Sequence, residues 1–397
     1  MTDFLYRQLA KAAHQQTVVP GQQVDLKVDL ALAHDGSGPE ILKLFRKKKC
    51  KADDRCRVLV TLDHAFPAPT IKARQFQHEI ANFARQHPIH LYKNGEGVLH
   101  QVVVEEESLW PGMIVVGADG HVATAGAFST IAFSVSPAAF VETLCSGFHS
   151  IVAPDQVVIA CAGDLPPGVL ARDVAMYLVH RFGRDIKDKA VLLTGATIDE
   201  LTISEKMSIC NFLPEAGVAT ALVLPQGEKC SPDIFMDSKT IPPMVAVPGV
   251  PPSFCTAAEL KSEAITVAIA GGCSSGRLDD MQIIADVLAE KDVHSDVTFI
   301  ITPGSKNVLE SMDKLKISSI IRNAGAVIMP PGCGPCPGKH FGVLCESDIA
   351  ITTTIRSNPG RIGARGAKIY LASPLTVACS AVSGKITEPA LPVSGRN

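Results

Sequence analysis

The sequence contains no apolar run of the roughly 18 residues that a bilayer-spanning helix requires, and its opening "MTDFLYRQLAKAAHQQ" holds no continuous apolar stretch of a signal peptide. A membrane or secreted protein is therefore not expected, and the chain reads as cytoplasmic. It also lacks an excess of charge of either sign: the formal net charge is -3 over 397 residues, and the longest basic run is "RKKK" at Arg46–Lys49. Such a balance offers no counter-charge for a phosphate backbone or an anionic bilayer, so neither nucleic acid nor a membrane is an expected partner. Internal repeats and low-complexity tracts are absent as well. What remains is ordinary globular chemistry, 46% hydrophobic and 19% charged, with enough length for two or three cores.

Short apolar runs ending in Gly, Asp or Pro alternate with amphipathic stretches, the pattern of parallel strands joined by crossover helices. The expected class is α/β. Strands are expected at Val58–Leu62, Ile114–Val116, Val157–Ala160, Val191–Thr194, Ala221–Leu224, Thr266–Ala270, Thr298–Ile301 and Val327–Met329, each apolar enough to be covered on both faces. Helices are expected at Leu278–Glu290, Asn307–Lys314 and Pro374–Ser383, where Ser373 can cap and Pro374 suits the first turn. "IPPMVAVPGVPPS", Ile241–Ser253, has five prolines in thirteen residues and reads as a linker without regular structure. With a second boundary near Ile151–Pro154, three α/β domains are expected, at 1–150, 151–253 and 254–397.

Twelve cysteines in a long chain without a signal peptide point to reduced thiols. Most, Cys50 and Cys145 among them, sit in apolar surroundings and read as small core residues. Three differ. "PPGCGPCPG" places Cys333 and Cys336 in a Gly/Pro loop after one strand, and "GGCSSGR" places Cys273 at the carboxyl end of another. Ligands gather at the carboxyl ends of strands in open parallel sheets, so the three can share one site. Three thiolates could hold an iron-sulfur cluster with one iron left open; a zinc half-site or a redox pair are the other readings of the loop.

"GGCSSGR", "PPGCGPCPG" and "IRSNPGRIGARGAKIYLASPLTVACSAVSGKI" occur in this order, preceded by "LAHDGSGP", "TLDHAFPAP", "GVLHQVVVEE", "GADGHVATAGAF" and "KMSICNFLPEAG". Together these blocks resemble the aconitase family from about Val24 to Ile386, and by length its nearest members are the large subunits of 3-isopropylmalate dehydratase and homoaconitase. The resemblance implies three α/β domains packed around a central [4Fe-4S] cluster, one per subunit, held by Cys273, Cys333 and Cys336. It implies a hydro-lyase or isomerase acting on a small hydroxy di- or tricarboxylic acid. It further implies a separate small subunit carrying the family's swivel domain.

By the same resemblance, Asp63, His64, His100, Asp119, His121 and Glu215 are candidate catalytic groups. The strand-end Asp-His pairs suit imidazoles oriented by carboxylates to protonate a departing hydroxyl. Asn211 is expected near the cluster and the substrate. Arg356 and Arg361 are expected to read substrate carboxylates, because a planar guanidinium matches a carboxylate through two parallel hydrogen bonds. Asn211 and Glu215 would share a helix face, or Pro214 would end the helix between them.

The sequence departs from the family at three places. Gly120 stands where Ser is usual, "CSSG" puts Ser275 in place of Asn, and Ile355 stands where an amide would reach the cluster. Unchanged ligands among changed neighbours suit an altered substrate, such as another substituted malate or a homocitrate-like acid. A divergent dehydratase resembling aconitase X, with a different cluster or metal, and an inactive metal-stabilised binding protein are the rival readings.

Overall fold

The computed structural model describes residues 3–92, 95–260 and 262–389. Its strands build three larger sheets that follow one another along the chain, and the expected α/β class holds. In the first, five parallel strands run in the order Ile89–Leu91, Arg57–Thr61, Leu30–His34, Ile114–Gly117 and Ile131–Ser134. The central strands Leu30–His34 and Ile114–Gly117 are buried throughout, as helix-covered parallel strands should be. From Leu30–His34 the chain moves to one side of the sheet, and from Ile114–Gly117 to the other. A crevice therefore opens at their carboxyl ends.

The second sheet has four parallel strands, Thr220–Val223, Ala190–Thr194, Gln156–Ala162 and Ile234–Asp237. In the third, the parallel strands Lys368–Ala372, Ile349–Thr352, Val267–Gly271, Thr298–Thr302 and Val327–Ile328 are extended at one edge by Met244–Val247 and Ser253–Thr256, both antiparallel. Met244–Val247 corrects the linker expectation for Ile241–Ser253. The prolines of that segment flank the strand rather than interrupt it, so its backbone groups stay free to pair.

The sheets are bolted together near the site. Thr220 Oγ1 donates to the Ala132 carbonyl at 2.7 Å, joining the first and second sheets, and the Val98 N–H donates to the Gly304 carbonyl at 2.8 Å, joining the first and third. Gly126 belongs to the same contact: a Cβ there would lie 1.9 Å from the Ala221 carbonyl oxygen. One further expectation is corrected. Cys50 and Cys145 are not separate reduced thiols but a disulfide, with Cα atoms 6.1 Å apart. They follow or close two helices, Gly38–Lys48 and Pro137–Ser146, that pack on each other, a neighbourhood invisible at a sequence separation of 95. No helix among the described residues is long and apolar enough to cross a membrane.

Candidate active site

Strand Val267–Gly271 turns sharply into the single helical turn Gly272–Ser275 that carries Cys273. The turn needs glycine: Gly271 has φ +118°, and a Cβ there would lie 1.9 Å from the Thr302 carbonyl oxygen on the neighbouring strand. The turn ends on a buried arginine, since Arg277 donates through Nη2 to the Cys273 carbonyl at 2.8 Å and through Nη1 to the Ser274 carbonyl at 2.9 Å. The other two cysteines arrive on the loop after Val327–Ile328. The Cys333 N–H donates to the Asp63 carbonyl at 3.0 Å, which docks that loop on the first sheet. Cys273, Cys333 and Cys336 thereby line one cavity of about 230 Å³.

The facing wall comes from the first sheet. Asp63 and His64 follow Arg57–Thr61, and Asp63 Oδ1 accepts from His64 Nδ1 at 2.7 Å while its Oδ2 accepts the Leu99 N–H at 2.7 Å. Burial pushes the Asp63 carboxyl up, but the His64 charge and hydrogen bond outweigh it and hold it at about 2. Burial opposes a charge on His64, yet Asp63 beside it raises the imidazole pKa above its ordinary value. Asp119, after Ile114–Gly117, gathers three histidines: it accepts from His100 Nε2 at 2.8 Å, from His34 Nε2 at 3.0 Å and from the His121 N–H at 2.6 Å. Although burial works against its charge, His100 and His34 hold Asp119 well below the usual carboxylate range. His121 itself is pushed down by burial.

His34 escaped the sequence reading. It ends the central strand, bonds Asp119 and stacks on His64 with ring centroids 4.0 Å apart and planes within 3°. Its signal was available, because "LAHDG" is a strand-end His-Asp of the same kind as those singled out. Asp35, next to it, accepts the backbone N–H groups of Asp63, His64 and Ala65 at 3.2, 2.8 and 3.1 Å and so shapes the loop that presents His64.

Helix Ile203–Phe212 ends before Pro214, and a 3-10 turn, Leu213–Ala216, carries Glu215. Asn211 is fully buried, donates to Thr124 Oγ1 at 2.8 Å and works against the burial that raises the Cys273 thiol. Glu215 accepts from Arg356 Nε at 3.0 Å and meets His121 Nε2 at 3.3 Å. Burial raises its carboxyl, but His121 and Arg356 together hold it below its ordinary value. Arg361 donates through Nη2 to Cys336 Sγ at 3.7 Å. Arg356 and Arg361 line the cavity, whereas Asn211 and Glu215 stand just behind its wall.

One departure from the family acquires a physical reason. A Cβ at Gly120 would lie 2.9 Å from Arg356 Nη2, so the absent side chain leaves room for this guanidinium. Ile355 is a core residue at 2% exposure, and the Ser275 hydroxyl is buried without a partner. We find no structural account of why these two replaced polar neighbours.

The donor set fits an iron-sulfur cluster. All three cysteines are free thiols, and burial pushes Cys273 up to about 12 and Cys333 well above the ordinary thiol value, so thiolates form there only against a bound cation. Zinc would want a fourth ligand; His64 Nδ1 lies 3.6 Å from Cys333 Sγ but is already committed to Asp63. Beside Cys336, Arg361 Nε is a buried donor without a partner, the kind of orphan that a bound anionic group satisfies.

Comparison with known proteins agrees with this arrangement. The family described as "Aconitase family (aconitate hydratase)" matches residues 7–231 and 236–384. The chain is 34% identical over 383 residues to the 3-isopropylmalate dehydratase large subunit 2 of Methanopyrus kandleri, covering 94% of this chain and 95% of that protein. It is 33% identical over 411 residues to the probable methanogen homoaconitase large subunit of Methanothermobacter thermautotrophicus, covering 96% of each. Among solved structures, the holo-form of Thermococcus kodakaraensis aconitase X aligns with TM-score 0.52 at 14% identity over 83% of each chain, a likeness that shows the fold alone.

Proposed function

The chain belongs to the aconitase family and is a hydro-lyase, and we propose that it is the large subunit of a two-chain dehydratase-isomerase for a hydroxy di- or tricarboxylic acid of the substituted-malate or homocitrate type. One observation carries the reading: Cys273, Cys333, Cys336, His64, His100, Arg356 and Arg361 line a single cavity. Metal ligands, proton donors and carboxylate-reading guanidiniums are the three components that dehydration of such an acid requires.

A [4Fe-4S] cluster on Cys273, Cys333 and Cys336 would supply an open iron as the Lewis acid that makes hydroxide a tolerable leaving group. Arg356 and Arg361 bind and orient the substrate carboxylates. Asp63, ionised, takes the Nδ1–H of His64 and leaves the opposite ring nitrogen for the cavity. Asp119, also ionised, accepts from His100 Nε2 and fixes the orientation of that ring. Glu215, ionised between Arg356 and His121 behind the cavity wall, holds these two side chains in position. The base for the α-proton is assigned to the small subunit, because these relatives are named large subunits. We place the complex in the cytoplasm.

The experiment is anaerobic reconstitution with iron and sulfide, pairing with a co-encoded small subunit, and a screen of hydroxy acids for the ultraviolet absorption of the conjugated enoate product. Turnover of at least one substituted malate or homocitrate-like acid supports the reading. A reconstituted pair that dehydrates none of them removes it.

A further inference from the structure

In the first sheet, strand Leu30–His34 lies between Arg57–Thr61, which leads into Asp63 and His64, and Ile114–Gly117, which leads into Asp119. Pairing sets His34 opposite Thr61 on one side, and Leu32 opposite Gly117 on the other. The last side chain of the central strand can therefore reach the groups carried by both neighbours. His34 does so from a buried position, 5% exposed, in the wall of the cysteine cavity. Its Nε2 donates to Asp119 Oδ2 at 3.0 Å, and its ring lies flat on that of His64, with centroids 4.0 Å apart and planes within 3°.

The second ring nitrogen limits what His34 can do. Nδ1 accepts the Gly36 N–H at 3.0 Å, so the proton of the neutral ring sits on Nε2, facing Asp119. Both nitrogens are engaged within the protein, and neither is left to deliver a proton to a substrate. Packing around the two rings is close: a Cβ at Gly36 would lie 2.8 Å from the His34 ring and 2.9 Å from the His64 ring. Asp63 holds His64 at Nδ1, at 2.7 Å, which fixes one edge of the ring but not its plane; the flat contact with His34 fixes the plane. On its other side, His34 bonds the carboxylate whose Oδ1 lies 2.8 Å from His100 Nε2. We propose that His34 is a positioning residue that holds the His64 ring and Asp119 in fixed relation for proton delivery, without itself binding substrate or exchanging a proton with it. The proposal rests on the functional reading above. Misplacing a reacting group by about 1 Å can cost on the order of a hundredfold in rate, so the effect falls on turnover. Substrate binding falls to Arg356 and Arg361.

The test compares wild type with His34→Ala, His34→Gln and His34→Phe, each reconstituted anaerobically with iron and sulfide and paired with the same small subunit. The probe is the substituted malate or homocitrate-like acid that the wild-type pair dehydrates, and cluster content is measured chemically so that kcat is expressed per cluster. Gln keeps a donor for Asp119 without the stacked ring, and Phe keeps the ring without the donor. In the Ala variant kcat should fall on the order of a hundredfold while KM stays within about threefold. Gln and Phe should each recover part of the loss. An Ala variant with wild-type kcat overturns the proposal, and so does one whose KM rises at unchanged kcat, which would make His34 a substrate contact. Phe no better than Ala removes the stack, Gln no better than Ala removes the Asp119 bond, and either result overturns the proposal as stated. Failure of all three variants to fold or to take up cluster assigns His34 to the fold and also overturns it. A wild-type pair that turns over none of the acids overturns the functional reading together with this one.

Discussion

Asp119 shows how much of this site is settled by single side chains, since one carboxylate orients His34, His100 and the His121 backbone. Asp63 does the same for His64, and its charge has a measurable signature. Its folded pKa, about 2, lies below the ordinary 3.8, so its stabilising effect is present above pH ~4 and is lost as the pH falls toward 2. We expect roughly 2 kcal/mol from this pairing, and Asp63→Asn should flatten the acid side of a urea-unfolding stability profile. An Asn variant with the wild-type slope would contradict it. Arg356→Lys keeps a charge but loses the planar fork. It should lower kcat/KM by about one to two orders of magnitude while the visible absorption of the cluster persists; unchanged kcat/KM would remove Arg356 from substrate binding. The strand-end Asp-His pairs were legible because polar residues directly after an apolar run stand out. His34 went unread together with the strand it ends, and the exchange between Gly120 and Arg356 was not readable because it joins residues distant in sequence.

At the scale of elements, the cysteine turn depends on close backbone approach between Val267–Gly271 and Thr298–Thr302. Gly271→Ala would force a Cβ against the Thr302 carbonyl oxygen in a left-handed backbone conformation. It should cost about 3 kcal/mol in chemical denaturation and reduce cluster uptake; a stability within 0.5 kcal/mol of wild type, in that order of magnitude, would show that the turn relaxes freely. The eight strands read from apolar runs all occur, within a residue or so of their expected limits, because strands buried on both faces leave a continuous signature. Met244–Val247 was hidden by its flanking prolines, which mark the strand's ends here rather than exclude it. Leu30–His34 and Ile349–Thr352 were missed because Ala and Thr dilute their apolar signal, although both are buried in the sheets that present the site. The Cys50–Cys145 disulfide was not legible for a different reason: pairing follows from helix packing that no local pattern reports.

For the molecule as a whole, we propose a division into three α/β units, one around each larger sheet, with the last beginning ahead of Met244 so that its edge strand stays with it. The cavity sits where loops of the first and third sheets meet, backed by Asn211 and Glu215 from the second. Because the α-proton base is assigned to the small subunit, the rigorously purified single chain should turn over at less than about one hundredth of the rate of the pair, the order expected for loss of a general base. Full turnover by the single chain would contradict the two-chain account. The most direct test of the central claim, that the three cysteines form one cluster site, is chemical analysis of the anaerobically reconstituted chain and its Cys336→Ser variant. The account predicts about four irons and four sulfides per wild-type chain and loss of the intact cluster in the variant. Stoichiometric zinc without labile sulfide in the wild type, or an undiminished cluster in Cys336→Ser, would contradict it.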